Sequence, residues 1–162
     1  MSFEKLVAII FTVILASCKE TISDQPSAIL DSGNSHIIID QQKYDESWTS
    51  LQTDDPESDP FKIKSLSHDS TVLIIEVAYG GGCEDHSFEL IWPEVITMIY
   101  PPRFTVLLNH NAHNDLCEAY LSQTLYFDIS VEDIGISPED MEVIDLTIIN
   151  GSNGDESFKL IN

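Results

Sequence analysis

From residue 37 onward the chain is a succession of short runs rich in Ile, Val, Phe, Tyr and Thr, each closed off by turn-forming residues. The runs cover residues 37–40, 61–67, 71–79, 85–92, 104–110, 121–130, 143–150 and 157–161. Segments this short cannot carry the apolar stripe of a long helix, whereas β-branched and aromatic side chains fit a pleated, half-buried surface. A strand of this kind hides one face only, so the strands must gather into sheets that cover one another. The expectation is an all-β domain, an antiparallel β-sandwich of immunoglobulin-like architecture with about 7–8 strands and one disulfide. Asp54-Asp55-Pro56-Glu57-Ser58-Asp59-Pro60 reads as a solvated loop. Ser137-Pro138-Glu139-Asp140 reads as a single capped helical turn, with Ser137 as N-cap and Pro138 at the first position. Nothing else reads as a long helix.

Alternation predicts which faces meet. Along 85–92 it places His86, Phe88, Leu90 and Trp92 on one face, and along 104–110 it does the same for Phe104, Val106, Leu108 and His110. A hairpin that pairs Trp92 with Phe104 sets Leu90 against Val106, Phe88 against Leu108 and His86 against His110. Slipping it by one residue would turn each apolar face the wrong way. By the same logic, a turn at His68-Asp69-Ser70 sets Ile63 against Ile75 and Phe61 against Val77.

The N-terminus obeys different rules. An apolar run over residues 6–15 follows Lys5 and ends at Ala16-Ser17-Cys18. It is too short to span a bilayer as a helix and has the proportions of a signal-peptide core. Leu15-Ala16-Ser17-Cys18 resembles the lipobox of Gram-negative lipoproteins. The resemblance implies that residues 1–17 are a cleaved signal peptide and that Cys18 is acylated on its sulfur and on its new amino group. Several acyl chains make a stable anchor, because each buried methylene contributes about 0.8 kcal/mol. Lys19-Glu20 resembles a signal for surface display, so the expected address is the bacterial cell envelope, the outer membrane in preference to the inner. Residues 18–34 are polar, broken by Pro26 and Gly33, and read as a flexible tether; residues 35–162 form a single domain.

Charge narrows the partners. With 28 acidic against 7 basic residues the net charge is −21. Such a surface repels phosphates, which excludes nucleic acid and electrostatic adhesion to anionic lipid; it attracts cationic partners and divalent metals. It also keeps an exported domain soluble.

With Cys18 taken by lipid, Cys83 and Cys117 remain as a pair in an oxidising compartment, and the hairpin register brings them to one end of the sheet. A disulfide closing a loop of roughly 35 residues stabilises by about 3–4 kcal/mol in the chain-entropy picture. Gly80-Gly81-Gly82 permits positive φ and close backbone approach. A phosphate cradle is excluded there, because the loop lacks the Lys and the helix start that such cradles use. At the same end, His86 and His110 face each other with His113 and Asp115 in the adjoining loop. These four could hold Zn²⁺ or Cu²⁺ through nitrogen and oxygen. The competing reading makes the histidines structural, terminating buried faces and hydrogen-bonding the Cys-tied loop.

The blocks Gly81-Gly82-Cys83-Glu84-Asp85-His86-Ser87-Phe88 and Asp115-Leu116-Cys117-Glu118-Ala119 resemble a group of small secreted bacterial proteins that have no known activity, which implies a shared scaffold and nothing more. No nucleophile elbow, zinc-protease pattern or nucleotide loop is present in the sequence. The expectation is therefore a non-catalytic binding or structural module on a lipid tether, without a cofactor. Its partners are the membrane, through the anchor, and an envelope protein or glycan. The alternative is a divalent-metal-binding lipoprotein using His86 and His110. Val95-Ile96-Thr97-Met98-Ile99-Tyr100 is unusually apolar for a connection and is the expected contact surface if exposed.

Overall fold

The computed structural model describes residues 34–53, 55–94, 100–131 and 133–160. The signal segment, Cys18, the tether up to residue 33 and the apolar segment 95–99 lie outside the described residues. Eight strands form two sheets: β1 (Ser35–Ile39), β2 (Phe61–Asp69), β3 (Val72–Gly81), β4 (Ser87–Trp92), β5 (Arg103–Asn111), β6 (Ala119–Asp128), β7 (Asp145–Asn150) and β8 (Asn153–Lys159). One sheet has the order β1-β4-β5-β7-β8 and the other β2-β3-β6. The expected sandwich is present, and each predicted run holds a strand. Two pairings of the larger sheet, β1 with β4 and β5 with β7, run parallel, so that sheet is mixed rather than purely antiparallel.

The inner faces make the core. Phe88, Leu90, Trp92, Val106, Leu108, Leu146 and Ile148 of the larger sheet pack against Ile63, Leu73, Ile75, Val77, Leu125 and Phe127 of the smaller, all buried. Full burial of each such side chain contributes about 1.5–3 kcal/mol.

The segment between β1 and the acidic loop, where no strand or long helix was expected, is helical over ten residues. Helix α1 (Gln41–Ser50) begins at Asp40, whose side chain accepts the Lys43 N–H at 2.9 Å as an N-cap. Gln41 donates to Asp45 and Gln42 to Glu46, and Tyr44 stacks on Trp48, all pairs four apart on the helix. The helix lies against the outer face of the larger sheet, where the Tyr44 hydroxyl donates to the Thr105 carbonyl at 3.1 Å and the Asn109 amide donates to the buried Ser47 hydroxyl at 3.2 Å. Ile91 and Leu107, a directly paired couple on that face, are fully buried. Near the other end of the chain, α2 (Pro138–Met141) has the predicted Ser137 cap, with a reciprocal bond from the Ser137 N–H to Asp140.

Both predicted hairpins pair the predicted faces but in a register shifted by two residues. In β4–β5, Phe88 faces His110 and Leu90 faces Leu108. Alternation fixes only whether the shift is odd or even, so two registers an even step apart bury the same faces. In β2–β3 the turn is tighter than expected: Ser70 adopts φ 52 and Asp69 pairs directly with Val72. That register alone would misalign the inner faces. A bulge between Ile63 and Ser65 restores them, setting Ile63 against Val77 and Phe61 against Tyr79.

Candidate functional site

β3 ends in the glycine run, and Gly81 and Gly82 adopt φ of 145° and 118°. This backbone turns three successive N–H groups inward, those of Gly82, Cys83 and Glu84, at 2.6, 2.8 and 3.0 Å from one carboxylate oxygen of Asp115. The other oxygen accepts the Cys117 N–H at 2.8 Å. Consecutive amides converging on one point form an anion nest. The glycine loop is thus an anion cradle after all, though the anion it holds is a carboxylate from the same chain rather than a phosphate. The Cys117 amide, then those of Glu84 and Cys83, hold the Asp115 carboxyl well below the usual carboxylate range. The side chain has no exposed surface.

The disulfide joins the two segments that grip Asp115: Cys83 and Cys117 are bonded, with Cα atoms 5.9 Å apart. The predicted pairing is therefore present.

Behind Asp115 the two buried histidines form a chain. His86 Nε2 lies 3.1 Å from the Asp115 oxygen, and His86 Nδ1 lies 2.8 Å from His110 Nε2. Because Asp115 is ionised, it accepts from His86 Nε2, and the other His86 nitrogen shares a hydrogen bond with His110 Nε2. His110 Nδ1 is buried without a hydrogen-bond partner among the described residues. Burial, reinforced by neighbouring His86, pushes the His110 pKa down to about 4. Its ring is stacked on Phe88 at 4.6 Å and 15°, with Phe61 and Tyr79 against it.

The four residues expected to ligate metal are therefore not equivalent. His86, His110 and Asp115 meet, and each uses its facing atoms on the next. His113 stands apart: it is exposed, has φ 51, and its ring donates to the Asp85 carbonyl. Its role is to pin the 83–86 turn from outside.

Gly81 is required by this packing. A Cβ there would fall 2.4 Å from His86 Nε2 and 2.9 Å from the Asp115 oxygen.

The acidic stretch also takes part, which its composition did not signal. The Ser58 hydroxyl, buried, accepts the His110 N–H at 2.9 Å, and the Asp59 N–H donates to the His110 carbonyl. The Asp59 carboxylate accepts the Ala112 N–H at 2.7 Å. This part of the expected solvated loop is a clamp on the end of β5. Nearby, Lys43, Glu57, Glu89, Asn109, His110 and Asn111 line a polar cavity of about 290 Å³. Among these, Lys43 is ion-paired with Glu89.

The chain matches no protein-family profile and no curated protein sequence. Solved structures are similar in fold. A DUF1344 protein of unknown function from Bacteroides vulgatus aligns with a TM-score of 0.52 and 12% identity, over 80% of this chain and 56% of that one. A protein provisionally described as toxin-related, from Parabacteroides distasonis, aligns at 0.51 and 19%, over 78% of this chain and 59% of that one. A protein provisionally described as a lipoprotein, from Bacteroides fragilis, aligns at 0.44 and 8%, over 80% and 68%. At these identities the likeness concerns the fold alone. The chain spans less than two thirds of the length of the first two structures.

Proposed function

We propose that the chain is a lipid-anchored protein of the bacterial cell envelope whose β-sandwich is a non-catalytic binding or structural module. The observation that carries this reading is the Cys83–Cys117 bridge. Disulfides persist where the compartment is oxidising, and the bridge agrees with an export segment ending at Cys18. The site chemistry supports the absence of catalysis. The titratable groups most suited to acid–base work are bonded to one another: His86 and His110 are buried and the Asp115 side chain is covered, so they present no proton to a substrate.

The test is metabolic labelling of the full chain with an alkyne fatty acid in a Gram-negative host. The wild type should be labelled and sediment with membranes, and Cys18→Ser should lose both properties. An unlabelled wild type, or a labelled Cys18→Ser variant, refutes the anchor. Protease treatment of intact cells distinguishes surface from periplasmic display.

The alternative, a divalent-cation site on His86 and His110, requires their mutual hydrogen bond to open. A saturable thermal stabilisation by Zn²⁺ or Cu²⁺ that disappears in His110→Phe would establish it.

A further inference from the structure

The disulfide and the carboxylate beside it bring three potential ligand atoms together. Cys83 Sγ, Cys117 Sγ and an oxygen of Asp115 all lie within 4.8 Å of one another. Around one tetrahedral Zn²⁺, two sulfurs stand about 3.8 Å apart and a carboxylate oxygen about 3.6 Å from each, so the group has the span of a single ion. While the sulfurs are bonded to each other they are not thiolates and cannot ligate. Opening the bridge frees both, and the backbone still holds their segments. Asp115 accepts the amides of Cys83 and Cys117, whose Cα atoms are 5.9 Å apart. The carboxylate is also fixed in orientation. Oδ2 accepts the amides of Gly82, Cys83 and Glu84 and lies 3.1 Å from His86 Nε2. Oδ1 accepts the Cys117 amide alone among the described residues, which leaves it a lone pair for a cation. Hydrogen bonds of this kind orient a ligand before the metal arrives. Cys83 is exposed, so reductant and cation reach the group from its side.

We propose that the Cys83–Cys117 bridge masks a zinc site. When a dithiol or phosphine reductant opens the bridge, the two thiolates and Asp115 Oδ1 bind one Zn²⁺, with water in the fourth position. A dithiol gives two electrons and two protons to the sulfur–sulfur bond and closes to its own disulfide. A phosphine gives the electrons and takes the oxygen of one water, whose hydrogens go to the two thiols. Zinc binding then releases both thiol protons to solvent. The donor set selects the ion: two thiolates disfavour Mg²⁺ and Ca²⁺, and a carboxylate disfavours Cu⁺. This site differs from a cation on His86 and His110, which would need no reductant, and it does not depend on the sandwich being a binding module.

The test titrates Co²⁺, a spectroscopic stand-in for Zn²⁺, into the full chain in zwitterionic detergent, before and after reduction by a water-soluble phosphine. The reduced chain should develop a thiolate-to-cobalt charge-transfer band and the visible bands of four-coordinate cobalt, saturating at one ion per chain and displaced by Zn²⁺. The oxidised chain should develop neither. Cys83→Ser and Cys117→Ser should each lose tight binding, whereas Cys18→Ser should keep the spectrum, so the outcome is independent of the lipid anchor. Asp115→Asn should retain the sulfur band but weaken binding by about tenfold or more, at least the loss that follows removal of an outer hydrogen bond to a ligand. X-ray absorption of the zinc form needs no variant: two sulfurs at about 2.3 Å and oxygens at about 2.0–2.2 Å are expected. Circular dichroism and Trp92 fluorescence of the reduced, metal-free chain should match those of the oxidised chain. Four results overturn the proposal: equal binding by the oxidised chain, no sulfur ligation after reduction, four sulfurs from two chains sharing an ion, or binding by an unfolded chain only.

Discussion

Replacing His110 by Phe isolates the acid sensitivity of the core's polar end. In the native protein the His110 pKa is pushed down to about 4 from 6.5. As pH falls through 6.5 the unfolded chain takes up a proton at this position and the folded chain does not. The contribution is therefore fully present above 6.5, is lost progressively below it, and stops falling near the folded value. Between pH 7.5 and pH 5 the loss works out at about 2 kcal/mol. Asp115 acts in the same direction, but its carboxyl is held below the usual range, so its share is lost only under about pH 4. Measurements at pH 5 and above thus read His110 alone of the two. A Phe ring keeps the stack on Phe88 but removes the hydrogen-bond partner of His86 Nδ1, which should lower stability at pH 7.5 by about 1–2 kcal/mol. The dependence on pH should flatten to under about 0.5 kcal/mol over the same interval. Urea unfolding followed by the fluorescence of the buried Trp92 gives each free energy, with an unchanged m-value as the check on two-state behaviour. A wild type that loses less than about 0.5 kcal/mol, or a variant that loses as much as the wild type, would refute the argument from burial.

Further substitutions probe the same fold. Gly81→Ala places a Cβ 2.4 Å from His86 Nε2 at φ +145 and should cost about 3 kcal/mol or more, whereas Gly80→Ala, into open space, should change stability by less than about 1 kcal/mol; urea midpoints compare the two. Cys83→Ala/Cys117→Ala opens a loop with a sequence separation of 34 and should cost about 3–4 kcal/mol, read as the same shift produced by adding reductant to the wild type. Asp40→Ala removes the N-cap of α1 and should cost about 1 kcal/mol, with a loss of helical circular dichroism that leaves the sheet signal intact.

The β architecture was legible in the sequence because alternation and turn clusters are local signals, and each predicted run holds a strand. What alternation cannot carry is the absolute register. Phe88 faces His110 rather than Leu108, a difference of two residues that leaves every side chain on its own face and therefore writes nothing into the hydrophobic pattern. Helix α1 was illegible for another reason. Its apolar residues are Tyr44 and Trp48, and the helix is held by an N-cap, side-chain pairs and a few contacts to the sheet rather than by a periodic apolar stripe. At the site, the residue types His86, His110 and Asp115 could be nominated from their spacing around the cysteines. Their roles could not, because a histidine looks the same in sequence whether its nitrogens face a cation, water or each other. Ser58 and Asp59 gave no signal at all: within a run of acids and prolines, a clamp and a solvated loop have the same composition.

Asp115 has a consequence for how the chain becomes covalent. One carboxylate accepts the amides of both Cys83 and Cys117, so the two residues are aligned by their backbones as well as by their sulfurs. The sequence contains a third cysteine, Cys18, and three thiols permit three pairings. The native one of these is held twice in the folded chain, by the bond between the sulfurs and by one carboxylate that grips the backbone of both partners.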